Sequence, residues 1–238
     1  MANVPVMTDD DGSTGDGSRP LAVFKDLCLD AVDDERMSRF WAAALGLERT
    51  QHPDGSWSLR GPTPQHGVWI NRVAEPVTVK QRVHIDVHAA SQGDLEAFGA
   101  ARLPGEFPWT LMSDPEGGEL CVFVREEVPD YRLYEVVVDA AELTLIATWW
   151  ATVLGARLVS DERGFCYLES VPGAPFESID FVPVPEPKTV KNRVHWDVTG
   201  SVDDLLVAGA ALLRAADDEI SWNVLADPEG NEFCVFAP

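Results

Sequence analysis

The chain has 238 residues, with 18 Lys and Arg against 40 Asp and Glu, a formal net charge of −22 at pH 7. So acidic a surface repels the phosphates of nucleic acid and the anionic face of a membrane, because capture of either needs clustered Lys and Arg. With 45% hydrophobic and 9% aromatic residues the composition supports a folded core; no run approaches the ~18 apolar residues of a membrane span, and Met1 to Pro20 lacks the basic and apolar regions of a leader, so a cytoplasmic protein is expected.

Residues 8–19, TDDDGSTGDGSR, bury nothing, and residues 1–20 are expected to form a disordered acidic tail. Lys25 to Ala31 then alternates polar and apolar residues, as a half-buried strand does. A helix follows: Asp33 or Asp34 can cap it, Met37, Phe40, Trp41, Ala44 and Leu45 fall on one face, and Gly46 is placed to end it. Two short strands are expected around 57–60 and 68–73, then a strand over Arg82 to His88. Next come a helix near Ser91 to Leu103, with Ser91 and Asp94 set as a capping pair, and a last strand over Glu119 to Val124.

From there the chain repeats itself. EPVTVKQRVHIDV, beginning at Glu75, returns as EPKTVKNRVHWDV at Glu186; Ser113-Asp-Pro-Glu-Gly-Gly-Glu-Leu-Cys-Val-Phe123 returns as Ala226-Asp-Pro-Glu-Gly-Asn-Glu-Phe-Cys-Val-Phe236. Phe40-Trp41 with Leu45-Gly46 returns as Trp149-Trp150 with Leu154-Gly155. The halves are 21–127 and 132–238, joined by a charged linker, and each holds two βαβββ modules. The expected fold is α+β: four modules forming curled mixed sheets with helices on the outer face.

Alternation also assigns faces. Val83, Ile85 and Val87 must face the helices, which sends His84 and Asp86 to the opposite side, and His195 and Asp197 follow by the same logic. On the last strands Leu120 and Val122 pack, leaving Glu119 and Cys121; in the second half Phe233 and Val235 pack, leaving Glu232 and Cys234. On the opening strands Asp26, Cys28 and Asp30 face across, as do Glu135, Val137 and Asp139. Carboxylates and imidazole on one concave face suit a divalent cation with positions left for two substrate oxygens. Trp109 and Trp222 recur just before the D-P-E-G turns and are candidates for a cavity mouth. The four cysteines, with no C-x-x-C pair, are read as reduced thiols.

Paired βαβββ modules, the R-V-H-x-D-V strand and the terminal D-P-E-G-x-E-[LF]-C-V-F together resemble the vicinal oxygen chelate superfamily, and within it the tandem glyoxalase-like, bleomycin-resistance-like proteins. That resemblance implies a metal triad with one ligand on the first strand, at Asp26 and Glu135, and a His at His84 and His195. Its third ligand comes from the last strand. There the family's spacing lands on Cys121 and Cys234, with Glu119 and Glu232 two residues earlier, a departure that leaves Glu or Cys open as the ligand.

Two function classes follow. In one, a divalent metal (Zn, Fe, Mn, Mg or Ni) supports lyase, isomerase or dioxygenase chemistry on a small oxygenated metabolite, with Glu135 and Glu232 moving protons and Cys121, Cys234, Asp86 and Asp197 lining the cavity with the two Trp. In the other, the chain is a metal-free module that sequesters an antibiotic or metabolite. The expected partner is a small molecule, with no nucleic acid or membrane, and the expected assembly is a pseudo-dimeric monomer or loose homodimer. The second half, with Glu135, Asp180, His195 and Glu232, is the preferred centre. Whether sites close within a half or by strands exchanged between halves is open.

Overall fold

The computed structural model describes residues 19–238, so most of the expected tail lies outside the described residues. Four modules follow in order. The first holds β1 (Ala22–Ala31), α1 (Asp34–Leu45), β2 (Glu48–Gln51), β3 (Trp57–Arg60) and β4 (Val68–Arg72). The second holds β5 (Val83–Ala89), α2 (Gln92–Glu96), β6 (Ala101–Arg102), β7 (Thr110–Ser113) and β8 (Glu119–Val124). The third holds β9 (Leu133–Ala140), α3 (Leu143–Leu154), β10 (Arg157–Ser160), β11 (Cys166–Glu169) and β12 (Ser178–Pro183). The fourth holds β13 (Val194–Gly200), α4 (Val202–Val207), β14 (Ala211–Arg214), β15 (Asn223–Ala226) and β16 (Glu232–Phe236).

Local signals place the helices. The Asp33 carboxylate accepts the backbone N–H of Arg36, and Gly46 ends α1 at φ 70°, a left-handed conformation that costs glycine little. Ser91 and Asp94 form a capping box. The helix they open is shorter than the expected Ser91 to Leu103: it stops at Glu96, Gly99 turns at φ +101°, and residues 101–102 become strand β6. Leu95 is the buried residue of so short a helix, which leaves it little reason to continue.

The modules do not pair within their own halves. One eight-stranded sheet runs β14-β15-β16-β13-β1-β4-β3-β2 and the other β10-β11-β12-β9-β5-β8-β7-β6. Each sheet therefore joins one module from each half through a central antiparallel pair, β1 with β13 and β5 with β9. The apolar sheet faces and the helices merge into one core, with Trp41, Phe40, Trp150, Phe181 and Phe233 fully buried. Trp150 packs edge-on to Trp196 at 4.7 Å and donates its indole N–H to Asp227. Burial of each Leu or Val in such a core contributes about 1.5–3 kcal/mol, and the apolar alternation of every central strand is spent on it.

The two long repeats are the fastenings of this exchange. Lys80 pairs with Asp139 of the other half and Lys191 with Asp30, while Arg193 donates to the backbone carbonyl of Glu75 at 2.6 Å and Arg82 to that of Pro187 at 3.1 Å. In the D-P-E-G turns, Asp114 accepts the N–H groups of Glu116 and Gly118, and Asp227 those of Glu229 and Asn231. Glu116 then accepts the N–H groups of Val32 and Asp33 ahead of α1, and Glu229 those of Ala141 and Glu142 ahead of α3, where the helix dipole favours an anion. The first motif ties half to half along each sheet, and the second ties one sheet to the other.

Candidate functional site

Each sheet has a polar concave face, and strand exchange decides its membership. Register pairs Asp26 with Asp197 and Cys28 with His195 on one face, and Asp86 with Glu135 and His84 with Val137 on the other. Asp26 thus belongs with His195, and Glu135 with His84. The expectation that Glu135, Asp180, His195 and Glu232 form one centre is corrected: Asp180 lies beside Val137 in the His84 sheet, whereas Glu232 is in the His195 sheet.

On the His84 face, the imidazole Nε2 is 3.2 Å from Asp86 Oδ1 and 3.9 Å from Cys121 Sγ, and the Cys121 backbone N–H donates to Asp86 at 3.0 Å. On the His195 face, Nε2 is 3.4 Å from Cys234 Sγ and 3.6 Å from Asp197 Oδ1, and Cys28 Sγ is 3.6 Å from both Asp197 oxygens. Among the described residues, His84, Asp86 and Cys121 form one group of donor atoms all within 4.8 Å of each other, and Cys28, His195 and Asp197 form another. Tetrahedral bonds of about 2.0–2.3 Å imply donor–donor edges of roughly 3.5 Å. Both groups are spaced to fit, and a nitrogen, sulfur and oxygen set suits zinc or iron better than magnesium or manganese.

Glu119 and Glu232 stand outside these groups. Glu232 accepts from Lys188 at 2.7 Å and from the Asn192 backbone N–H at 3.1 Å, anchoring the crossover segment; Glu119 is 3.9 Å from Lys80. Cys28, which faces across β1 but was not among the expected ligands, does belong.

Alternation also missed two residues that the faces depend on. A bulge in β1 between Phe24 and Asp26 turns both Lys25 and Asp26 onto the His195 face. The Lys25 ammonium lies 2.7 Å from Asp26, 3.8 Å from Asp197 and 4.0 Å from the Phe236 ring. The matching irregularity where β9 meets β5 puts Tyr134 beside Glu135 on the other face, where its ring meets Phe123 at 4.8 Å and His88 at 4.6 Å. A repeat alignment pairs Lys25 with Tyr134, the signal that was available.

Electrostatics follow from that substitution. Burial, with Asp180 and Asp86 beside it, pushes Glu135 up to about 9, and burial lifts Asp180 to about 6. Burial pulls the His84 imidazolium down, but Asp86 and Asp139 outweigh it and its pKa is raised. His195, equally buried, falls to about 4. Burial and Asp26 raise Asp197, and burial raises the thiols of Cys28, Cys121 and Cys234. The aromatic candidates divide likewise: Trp109 stacks between Phe107 and Phe123 at 5.4 and 5.6 Å, while Trp222 stacks on Phe236 alone at 5.6 Å. Trp69 donates to Asp26 at 3.2 Å.

This architecture has relatives. The glyoxalase-like domain matches the chain twice, over residues 26–123 and 135–236. The chain belongs to the glyoxalase-like domain family. Among solved structures it is similar to glyoxalase I from Zea mays (TM-score 0.67, 15% identity, covering 90% of this chain and 92% of that one). It is also similar to a putative dioxygenase from Bacillus subtilis (TM-score 0.64, 16% identity, covering 92% and 86%). At such identities the likeness is one of fold. No curated protein matches it in sequence. No helix among the described residues is long and apolar enough to cross a membrane.

Proposed function

We propose that this glyoxalase-like chain is a metal-dependent enzyme of the lyase or isomerase class, working on a small oxygenated metabolite at the His84 face. The observation that carries this reading is a spaced set of imidazole, carboxylate and thiol donors beside carboxyls that, among the described residues, no side-chain ammonium neutralises. His84, Asp86 and Cys121 would hold the ion, zinc or iron by donor chemistry. When bound, such an ion polarises adjacent substrate oxygens and draws the thiol into its thiolate form.

The protein's own groups do the rest. Glu135 keeps its proton at neutral pH and can give it to a developing oxyanion, then take one back. Ser178 Oγ donates to Asp180 at 2.5 Å, holding that carboxyl in place beside it. The stacked Phe123 and Trp109, with Tyr134, offer an apolar shelf for the body of the substrate. Glu232 has no such part, since its carboxylate is engaged by Lys188 and Asn192.

Purification without chelator followed by elemental analysis tests this. About one zinc or iron per chain is expected, lost in His84→Ala and retained in His195→Ala. A wild-type protein that takes up no metal on zinc titration would sink it. A second reading, metal-free sequestration of a cationic aromatic compound, is favoured by one observation: Nδ1 of His84 is buried without a partner among the described residues, whereas metal-ligating imidazoles are ordinarily held through that second nitrogen. It expects no metal, and tight binding that survives His84→Ala.

A further inference from the structure

Away from both concave faces, the helices of the two halves differ in what they show to solvent. The α1 helix carries Glu35, Arg36 and Arg39 on its exposed side, with Arg39 paired to Glu35 one turn away. At the positions that the repeat makes equivalent, α3 carries Thr144, Leu145 and Thr148, and none of its 12 residues is charged. The same change recurs on the shorter helices and the edge strands, which align on Gly99 and Gly209. Glu96 and Arg102 form an ion pair at 3.4 Å, and their counterparts are Leu206 and Leu212; Ala97 becomes Val207, which is 90% exposed.

Both ion pairs of the first half are thus replaced by uncharged residues in the second, while the buried positions of the same helices stay apolar: Met37 and Ile146, Trp41 and Trp150, Leu95 and Leu205. The first half shows that the fold does not need apolar side chains at these outer positions, where a helix facing solvent is ordinarily polar. Phe98 also gives way to Ala208, and there α3 and α4 border a groove of about 670 Å³ walled by Leu145, Thr148, Trp149 and Thr152. Trp149 donates its indole N–H to the Ala208 carbonyl at 2.8 Å, which fixes one helix against the other. Val207 adjoins Ala208 in the chain, so a projecting side chain and a hollow lie next to each other.

We propose that this α3–α4 face docks a second copy of the chain, in a twofold pairing that sets Val207 of each copy into the groove of the other. A face that carries its own projection and hollow can meet itself in this way. Charge selects the occupant. Two chains of net charge −22 repel wherever acidic surfaces meet, and an uncharged helix face lets them approach with least repulsion. The rim is polar, as interface rims are: Asp203 and Asp204 open α4, and Arg214 is held by Asp217 and Glu219. The pairing is independent of the metal reading, because none of these residues belongs to either donor group.

Sedimentation velocity on the full chain tests this. A dimer is expected at about 50 µM, and its dissociation constant should fall at least threefold from about 0.05 M to about 0.5 M NaCl, as screening removes the repulsion between acidic chains. Leu145→Arg installs the residue that α1 carries at the equivalent place, and Val207→Glu alters an exposed position, so both should keep the wild-type circular dichroism and Tm. Each should sediment as a monomer at the same concentration. Val79→Glu, at an exposed site on the first crossover segment, should leave the dimer intact. A wild-type monomer at that concentration in the higher salt, a dimer that survives both Leu145→Arg and Val207→Glu, or one that Val79→Glu dissociates as readily would each overturn the proposal.

Discussion

Set side by side, the His195 and His84 faces have the same backbone, the same His-x-Asp strand and the same Cys on the neighbouring strand, yet they solve the cost of buried carboxylates differently. On the His195 face the bulged residue is Lys25, whose ammonium sits against Asp26 and Asp197. On the His84 face it is Tyr134, and the acid cluster keeps a proton on Glu135 instead. One position, occupied by a cation or by an aromatic ring, thus separates a face whose carboxyls meet a Lys ammonium from one whose Glu135 and Asp180 pair with none, although burial raises Asp197 on the first face as it raises Glu135 on the second. Duplicated sites diverge most cheaply at such a position, since neither fold nor ligand geometry has to move.

Exchanging those two residues should give the largest effect. Lys25→Met leaves Asp26 and Asp197 without their cation and should cost about 2–3 kcal/mol, the penalty of a broken buried pair discounted for a partly exposed ammonium. Urea denaturation would read the loss, and added zinc should recover most of it by occupying the vacated charge position. The reciprocal Tyr134→Lys should neutralise the His84 face and weaken its zinc affinity at least tenfold in a competition titration. If both variants leave stability and affinity unchanged, the two faces do not differ in the way described.

An intermediate effect is expected in the pH dependence of metal-stripped protein. Glu135 and Asp180 have folded pKa values raised to about 9 and about 6, so their contribution is complete below their unfolded values and is lost as pH rises through the folded ones. His195 runs the other way. Its folded value near 4 lies below the unfolded one, so its contribution is present above about 6.5 and lost as pH falls toward 4. Denaturation midpoints should therefore rise from pH 9 to pH 6, with Asp197, raised to about 8, adding to that limb, and should continue to rise toward pH 5, because His195 offsets only part of the carboxyl contribution. Glu135→Gln should reduce the rise between pH 9 and pH 6, and a profile that it leaves unchanged would contradict the assignment.

The smallest difference concerns the aromatic shelves. Trp109 stacks on two rings and Trp222 on one, so Trp109→Ala should destabilise by about 1 kcal/mol more than Trp222→Ala in thermal denaturation. Equal losses would mean that the shelf beside Glu135 is no better built than its counterpart.

What could be learned from the sequence alone was whatever rests on local rules. The alternation of Val83, Ile85 and Val87 with His84 and Asp86 follows from strand geometry, and Asp33, Gly46 and the Ser91–Asp94 pair follow from helix-end hydrogen bonding, so strands, caps and inward-facing residues were legible in the residue order itself. The repeat itself announced four like modules. Strand partners were not legible, because β1 presents the same edge and the same apolar face to a module of either half, and only the assembled core and the crossed Lys80–Asp139 and Lys191–Asp30 pairs choose between them. That choice moved Glu135 and Asp180 to His84, turned the most repeated motifs into fastenings, and, through bulges that break the period of two, brought Lys25 and Tyr134 onto faces from which alternation excludes them.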